Sequence, residues 1–154
     1  MRGLKNKTLA LVLTILLLTS MFLGAISTVR ADILEVGPGK PFSTIQAAIN
    51  AASPGDTIMV ASGTYNEEVN INKSVKVLGS GASTTFIEGT GVVLASAGLV
   101  KITAPGDVTF SGFTVQNAPA AGGVTFGILS QSSVPSVTYT ISDNNIYGTN
   151  DPSK

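Results

Sequence analysis

The chain has 154 residues, nine of them basic and nine acidic, and it contains neither cysteine nor histidine. Disulfide bonds are therefore excluded, as are zinc and haem sites and catalysis that depend on cysteine or histidine, and the sequence predicts no metal and no cofactor. From residue 32 onward there are five basic and nine acidic residues, a formal charge of −4, with no cluster of lysine or arginine. A chain of this charge offers no electrostatic surface for nucleic acid.

Residues 1–31 have the order of a secretory signal peptide. A basic start (Arg2, Lys5 and Lys7) precedes an apolar run from Leu9 to Leu23, and Val29-Arg30-Ala31 provides a small-residue exit before a cleavage point. We predict cleavage after Ala31 and a secreted or cell-surface protein formed by residues 32–154. The alternative is an uncleaved N-terminal anchor, because the apolar stretch is almost long enough to span a bilayer. In either case, contact with a membrane is limited to this segment.

Residues 43–52 predict one short helix. Ser43-Thr44-Ile45-Gln46 has the pattern of a capping box, in which the Ser43 hydroxyl and the Gln46 side chain each satisfy a free backbone amide at the helix start. Ile45, Ala48, Ile49 and Ala52 recur at helical spacing and form one apolar face. Ser53-Pro54-Gly55-Asp56 ends the helix, and Asp56 is interpreted as a turn residue.

After Asp56 the sequence changes to short apolar runs of three to five residues separated by turn residues, a pattern typical of strands joined by tight turns. The runs follow one another too closely for helical crossovers, so the predicted fold class is all-β. The predicted strands are Thr57–Val60, Val69–Ile71, Val75–Leu78, Thr85–Ile87, Val92–Ala95, Leu99–Ile102, Val108–Phe110, Phe113–Val115, Phe126–Leu129, Tyr139–Ser142 and Asn145–Tyr147.

An internal repeat distinguishes between the all-β architectures. Residues 108–117 (VTFSGFTVQN) match residues 139–148 (YTISDNNIYG) at an offset of 31, and Lys76–Ser80 fits the same place one period earlier. A period of this length indicates a solenoid, whose coils bury apolar side chains against one another. We predict a right-handed parallel β-helix with coils of about thirty residues. A β-sandwich of antiparallel strands is the alternative.

The predicted helix has a structural role in such a fold, because the open end of a solenoid leaves unpaired amides and apolar side chains that need a cover. We interpret residues 43–52 as that N-terminal cap. No second amphipathic segment occurs near Lys154, so a C-terminal cap is predicted to be absent. The expected consequences are that the chain is a truncated product or a fragment of a longer protein, or that its open C-terminal coil self-associates or is completed by a partner.

Three stretches resemble a known group of proteins. Residues 41–56 (PFSTIQAAINAASPGD), continued by residues 58–71 (IMVASGTYNEEVNI) and 75–79 (VKVLG), resemble the opening of pectin-lyase-like right-handed β-helix proteins. That group includes pectin methylesterases, polysaccharide lyases and surface proteins with β-helix repeats. The resemblance extends over residues 37–151 and implies the β-helix fold. It does not separate enzymes from non-enzymes, because both share this opening.

For a pectin methylesterase, the resemblance implies a glutamine that opens a strand and a later Gly-x-Gln-Asp motif. The first place falls near Thr125 and the second on residues 148–151, so that Asp151 would match the proton-donating acid while Asn150 replaces glutamine. The nucleophilic aspartate and the substrate-binding arginine would lie beyond Lys154. Ester hydrolysis needs an activated carboxylate beside a second acid, so Asp151 alone does not complete a catalytic set.

Three further residues are candidates for binding or modification. Tyr65 and Tyr147 are the aromatic residues expected to be exposed, and sugars stack on such rings, so both are candidates for contact with a polysaccharide or a cell-surface glycan. Asn72, in Asn72-Lys73-Ser74, is a candidate for N-glycosylation. The remaining large or amide side chains are assigned to the core (Phe86, Phe110, Phe113 and Phe126) or to coil corners (Asn117, Asn144 and Asn145).

Two functions from different classes follow. The first is a non-catalytic surface or extracellular β-helix module, used in adhesion, envelope structure or carbohydrate contact. The second is the N-terminal piece of a carbohydrate-active enzyme, an esterase or a lyase, whose catalytic residues lie beyond the chain end. The absence of arginine after Arg30 and the threonine at position 125 favour the first.

Overall fold

The computed structural model describes residues 30–89, 98–116, 126–131, 134 and 136–147. Almost all of the predicted signal segment and the predicted strand Val92–Ala95 lie outside the described residues. Within this part of the chain, no helix has the length and apolar character needed to cross a membrane. The elements are β1 (Ile33–Val36), α1 (Ile45–Ala51), β2 (Thr57–Val60), β3 (Gly63–Asn66), β4 (Val69–Ile71), β5 (Lys76–Gly79), β6 (Thr85–Glu88), β7 (Gly98–Ile102), β8 (Val108–Ser111), β9 (Thr114–Gln116), β10 (Phe126–Ser130), β11 (Tyr139–Ser142) and β12 (Asn145–Ile146).

The strands form three sheets in which every pairing is parallel. The first sheet has the order β1-β2-β5-β8-β11, the second β3-β6-β9-β12 and the third β4-β7-β10. From β2 onward, the chain therefore visits the first, second and third sheets in turn. The fold is the parallel β-helix that the sequence predicts, and a right-handed winding is the hand that parallel crossovers adopt.

The offset between the two matching sequence segments is also the offset between paired residues of the last two coils. Val108 lies opposite Tyr139 and Thr114 lies opposite Asn145, which is the offset of the two matching sequence segments. Earlier coils have other lengths, since Thr57 lies opposite Lys76, a much closer position in the sequence. The expected coil of about thirty residues therefore fits only the later turns. The connection between β3 and β4 (residues 67–68) is much shorter than the one between β6 and β7 (residues 89–97), and the first full coil is short mainly for that reason.

Inward-pointing side chains form ladders along the axis. Matching positions in the first sheet are held by Leu34, Ile58, Val77 and Phe110, and in the second by Tyr65, Ile87 and Val115. All of these except the partly buried Leu34 belong to one buried core. The rings of Phe110 and Phe113 stack with centroids 4.6 Å apart and an interplanar angle of 11°. Burial of one such side chain contributes about 1.5–3 kcal/mol.

The core position predicted for Phe86 is wrong. Phe86 lies between Thr85 and Ile87, which are buried, and its own side chain is only half-buried on the outer face of β6. Side chains alternate along a strand, so a buried threonine on one side and an isoleucine on the other place the phenylalanine outside. Phe110 and Phe113 are buried as predicted, and the side chain of Phe126 lies outside the described residues.

The sequence pattern does not predict two of the strands. β1 lies between the signal segment and the helix, and β3 contains Gly63, Thr64 and Asn66, which are typical of turns. β3 forms because its backbone pairs with β6 and its single apolar residue, Tyr65, points inward. Neighbouring coils supply the stabilisation that local strand propensity does not.

The helix is confirmed, but the predicted capping box is wrong. α1 begins at Ile45, and its N-cap is Thr44, whose hydroxyl oxygen accepts a hydrogen bond from the Ala47 backbone N–H at 3.2 Å. The Gln46 side chain does not reach back to Ser43. Its Oε1 accepts from the Asn70 backbone N–H at 2.7 Å, and its Nε2 donates to the Asn70 carbonyl at 3.3 Å. The Gln46 side-chain amide thus makes, at the free edge of β4, the two backbone hydrogen bonds that another strand would make there.

Both ends of α1 are capped by side chains from the first coil. The Glu67 carboxylate accepts hydrogen bonds from the backbone N–H groups of Ile45 and Gln46, at 2.8 and 2.9 Å. The Lys73 ammonium donates to the backbone carbonyls of Asn50 and Ala52, each at 2.7 Å. A negative charge at a helix start and a positive charge at its end also stabilise the helix through its dipole. The helix is therefore attached to the first coil at its start and at its end.

At the other end of the described coils, two inward positions are open. Ile141 lies opposite Phe110 and is 40% exposed, and Ile146 lies opposite Val115 and is 51% exposed. The last side chain of each ladder is therefore not covered by any of the described residues. The predicted absence of a C-terminal cap concerns residues 148–154, which lie outside the described part.

Removal of the Glu67 carboxylate tests the cap. We expect Glu67→Ala to lower the free energy of unfolding by about 1–3 kcal/mol, because two backbone N–H groups at a partly buried helix end lose their acceptor. Glu35→Ala is the matched control, since Glu35 makes an exposed ion pair with Lys40, and such pairs contribute about 0–1 kcal/mol. Urea denaturation measures both losses, and hydrogen exchange should show faster opening of α1 in Glu67→Ala alone. Equal losses in the two variants would contradict the cap.

A second test concerns Gly112, at the corner between β8 and β9. Gly112 has a φ of +83°, and a Cβ there would lie 2.6 Å from the carbonyl oxygen of Gly79. Gly39, with a φ of +72° and no atom within 4 Å of the place that a Cβ would take, is the control. Both Gly→Ala variants incur the left-handed cost of about 1–2 kcal/mol. Gly112→Ala should lose about 1–3 kcal/mol more, because the coils must separate. Equal denaturation midpoints would show that the coils do not meet there.

Candidate carbohydrate-contact face

The exposure predicted for Tyr65 is wrong. Its side chain is 7% exposed, and its hydroxyl donates a hydrogen bond to the Ala61 carbonyl at 2.9 Å. It points inward because it lies in register with Ile87 on the next coil. Burial and the nearby Glu67 charge raise the pKa of the Tyr65 hydroxyl. Tyr65 still lines part of a shallow cleft of about 320 Å³, together with the turn that begins at Gly37.

Tyr147, the second aromatic candidate, lies at the end of the described residues of the second sheet. It follows Ile146 directly, and its backbone N–H donates to the Val115 carbonyl at 2.9 Å. Ile146 lies opposite Val115, so Tyr147 takes the next register position, opposite Gln116. The inward direction of the Ile146 position places the following residue on the outer face by strand alternation. Tyr147 is half-buried there.

Tyr147 ends a set of four residues that occupy matching outward positions of the second sheet. The set, which we call the polar row, consists of Asn66 on β3, Glu88 on β6, Gln116 on β9 and Tyr147 after β12. Neighbouring strands of a sheet are about 4.8 Å apart, so the row presents one polar or aromatic group at each such step. Asn66 is exposed, and the other three are half-buried.

One hydrogen bond within the polar row aligns its centre. The Gln116 Nε2 donates to Glu88 Oε1 at 2.5 Å. This contact joins successive coils and holds two long side chains in fixed directions, which reduces the conformational entropy that they would lose on binding a ligand. A carboxylate, two amides and a phenol together offer donors and acceptors suited to hydroxyl groups, with a ring for stacking.

A second outward row lies beside the polar row. It runs through Thr64, Phe86, Thr114 and Asn145, again in register on the four strands. Thr114 is buried, and its hydroxyl donates to the Ala82 carbonyl at 2.5 Å. Phe86, displaced from its predicted core position, adds a half-buried ring to this face. The outer face of the second sheet thus combines two aromatic rings with amide and hydroxyl groups.

The sequence identifies only part of this face. It predicts Tyr147 as a carbohydrate-contact residue, but it does not predict Asn66 or Gln116. The signal that could have found Gln116 is the internal repeat itself, which aligns Gln116 with Tyr147. Asn66 and Glu88 lie outside that repeat, and their alignment is visible only in the pairing of β3 with β6.

The other candidates lie elsewhere. Asn72 is exposed at the corner between β4 and β5, while the side chain of the adjacent Lys73 turns back to cap α1. Asp151, the residue that the resemblance matches to a catalytic acid, lies outside the described residues, as do Thr125 and Asn117. Asn144 is a corner residue as predicted. Its Oδ1 accepts from the Phe113 backbone N–H at 2.9 Å and its Nδ2 donates to the Phe110 carbonyl at 3.0 Å.

Two carboxyl groups with shifted pKa values lie near the N-terminal cap. Burial raises the pKa of Glu67, against the effect of its two backbone hydrogen bonds. Backbone hydrogen bonds from Asp32 and Ser53 lower the pKa of Asp56, a buried side chain at the turn before β2. A shifted pKa often marks a catalytic group, but both carboxylates are occupied by backbone amides. Among the described residues, no cluster of acids is arranged to hold a metal ion.

The pH dependence of stability should report on Asp56. Its ordinary pKa is 3.8 and its pKa in the folded chain is lower, so its contribution is present above 3.8 and is lost as the pH falls through the folded value. Asp56→Asn should be less stable than the natural chain at neutral pH by about 1–3 kcal/mol, since an amide cannot accept both hydrogen bonds. The difference in urea midpoint should narrow toward pH ~2. A difference that does not depend on pH would contradict the assignment.

Part of the chain matches a protein family. Residues 35–73 match a family described as "Protein of unknown function (DUF1565)". These residues contain α1, β2, β3 and β4, and with them the cap contacts of Gln46, Glu67 and Lys73. No curated protein matches the chain. Among solved structures, it is similar to the pectin methylesterase PemA from Erwinia chrysanthemi, at 18% identity and a TM-score of 0.46, over 79% of this chain. The chain covers 50% of the length of that structure.

Proposed function

We propose that the chain is a secreted or cell-surface β-helix module without catalytic activity, which binds a neutral polysaccharide along the polar row. The observation that carries this proposal is the alignment of Asn66, Glu88 and Gln116 on three successive strands of the second sheet, continued by Tyr147 directly after β12. A repeating ligand that lies along the β-helix axis would meet a new hydrogen-bonding group at each coil. The expected export of residues 32–154 would bring this face into contact with glycans outside the cell.

Charge favours a neutral ligand over an acidic one. Residues 32–154 carry a formal charge of −4, and the polar row contains Glu88 and no basic residue. A polyuronate would therefore meet charge repulsion at the contact face, since like charges placed together across an interface oppose binding. Hydroxyl groups of a neutral chain can instead share the amides of Asn66 and Gln116, while the Tyr147 ring supplies apolar contact.

The chemistry of the row supports binding and not turnover. Ester hydrolysis needs a nucleophilic carboxylate, a second acid and donors for the oxyanion. Within the polar row Glu88 is the only acid, and its Oε1 is held by the Gln116 amide. The neighbours of Glu88 in register are the amides of Asn66 and Gln116, so no second carboxyl group lies beside it in the row.

Affinity electrophoresis of the exported protein tests the proposal. We expect retardation in gels that contain soluble mannan or β-glucan, and weaker or no retardation in polygalacturonate. Gln116→Ala and Tyr147→Ala should each weaken binding about five- to tenfold, the equivalent of about 1–1.4 kcal/mol. Ser111→Ala, on the outer face of the first sheet, is the control and should bind as the natural protein does.

Two results would overturn the proposal. If no neutral polysaccharide retards the protein, or if Ser111→Ala weakens binding as much as Gln116→Ala, the polar row is not the contact face. If the protein releases methanol or unsaturated sugars from pectin, it is an enzyme. Circular dichroism of each variant separates a loss of binding from a loss of fold.

A further inference from the structure

The backbone amide that begins the predicted mature chain contacts a buried carboxylate. The Asp32 backbone N–H donates to Asp56 Oδ1 at 2.8 Å, and the second oxygen, Oδ2, accepts from the Ser53 backbone N–H at 2.7 Å. Asp56 is 5% exposed, whereas Asp32 lies at the surface. The Asp32 carbonyl accepts from the Thr57 N–H at 2.9 Å, so Asp32 is held on both sides of its Cα where β1 begins to pair with β2.

We propose that proteolytic processing at the Ala31–Asp32 bond creates an N-terminal ammonium group that pairs with the Asp56 carboxylate and fastens β1 to the β-helix. The proposal rests on the predicted signal cleavage and is independent of carbohydrate binding. It assigns a second role to Asp56, which the sequence places only in a turn. It also adds a positive charge to a contact that the precursor makes only through a neutral backbone amide.

The chemistry is a hydrolysis by a signal-processing endopeptidase. Water adds across the Ala31–Asp32 peptide bond; its hydroxyl group completes the Ala31 carboxyl group, and its hydrogen completes the Asp32 amine. The amine then takes one proton from solvent at neutral pH, because an α-amino group has a pKa of about 7.7–8.0. The nitrogen that donated one hydrogen bond to the Asp56 carboxylate as an uncharged amide becomes a positive donor with three protons. No redox change is involved.

The surroundings of the nitrogen suit an ammonium group. One proton keeps the direction of the present hydrogen bond to Asp56 Oδ1, and the other two reach solvent because Asp32 is exposed. Processing removes Arg30, whose guanidinium lies 3.8 Å from the Asp32 carboxylate. The new ammonium group therefore replaces a positive charge that leaves with the signal segment. The positive charge on the donor adds an attraction between opposite charges to the hydrogen bond with the carboxylate.

Other charged groups near Asp56 are few among the described residues. Lys73 lowers the Asp56 pKa by its charge, although less than the two backbone hydrogen bonds do. Its ammonium is already bound to the carbonyls at the end of α1. Lys76 and Asp107 line the adjacent corner cleft, and the Asp32 carboxylate lies at the surface. The two oxygens of the Asp56 carboxylate are held by backbone amides, so the new ammonium group strengthens a contact that already exists.

The position of the cut decides whether the contact forms. A cut upstream of Ala31 leaves the Asp32 nitrogen as an amide with one proton and no charge. A cut within β1 removes the hydrogen bond and the pairing of Ile33 with Thr57. Only a cut between Ala31 and Asp32 places a charge at 2.8 Å from Asp56 Oδ1.

The pH dependence has a definite sign. A carboxylate partner raises the pKa of the ammonium group in the folded chain above its unfolded value of about 7.7. The added stability is fully present below that value and is lost as the pH rises through the folded pKa. The stability due to the ammonium group is therefore lost at alkaline pH, whereas the stability due to the Asp56 carboxylate is lost at acidic pH.

The full-length gene, expressed in a host that exports through the general secretory pathway, provides the test. Mass spectrometry of the exported protein should give a mass that begins at Asp32. The matched control is an insertion of one glycine between Ala31 and Asp32, so that cleavage leaves Asp32 as an internal residue. At neutral pH the natural form should have an unfolding equilibrium constant about tenfold lower than that of the insertion variant. The difference should disappear by pH ~10.

Asp56→Asn, alone and together with the glycine insertion, completes a double-mutant cycle. The glycine insertion should have little effect on stability when the carboxylate is absent. An exported protein that starts elsewhere, or that keeps its N-terminal segment, would overturn the proposal. So would an insertion variant as stable as the natural form at neutral pH, or an equal effect of the insertion in Asp56→Asn. None of these results depends on whether a polysaccharide binds.

Discussion

Every coil of this β-helix depends on its neighbours for its backbone hydrogen bonds and for the apolar environment of its inward side chains. The three sheets are parallel throughout, and each inner strand of a sheet pairs with strands of the coils before and after it. The first coil has no complete coil before it. α1 meets part of this need, with Gln46 paired to the backbone of Asn70 on the edge of β4. A short helix is stable there because tertiary contacts, and not its own length, hold it.

The cap region also holds three ionisable side chains in place through hydrogen bonds to the backbone. Glu67 accepts from two amides at the start of α1, Lys73 closes its end, and Asp56 accepts from two amides at the turn before β2. Burial shifts the pKa of Glu67 upward, whereas hydrogen bonding shifts that of Asp56 downward. The two carboxylates therefore contribute to stability with opposite dependence on pH. Their positions tie the start of the described chain, the helix and the first coil into one unit.

The same register that builds the core determines the outer faces. When Ile87 and Val115 stack inside the second sheet, Glu88 and Gln116 must stack outside it one residue later. A binding face on a β-helix therefore needs no loop to arrange it, since strand pairing brings one residue from each coil into line. The proposed polysaccharide contact and the proposed pairing of Asp32 with Asp56 both use groups that coil stacking has placed, on different faces of the β-helix.

The sequence by itself determined the class of the fold. The internal repeat predicts the pairing of Val108 with Tyr139, and the apolar run Thr57–Val60 is the strand β2. These features were readable because alternation and period are properties of the sequence itself. Tertiary structure alone decided the direction of Tyr65 and Phe86, the cap of α1 by Glu67, and the alignment of Asn66 with Glu88. Each of these depends on contacts between residues on different coils. The coil length differs between the first and later turns, so a local pattern cannot show which residues will meet.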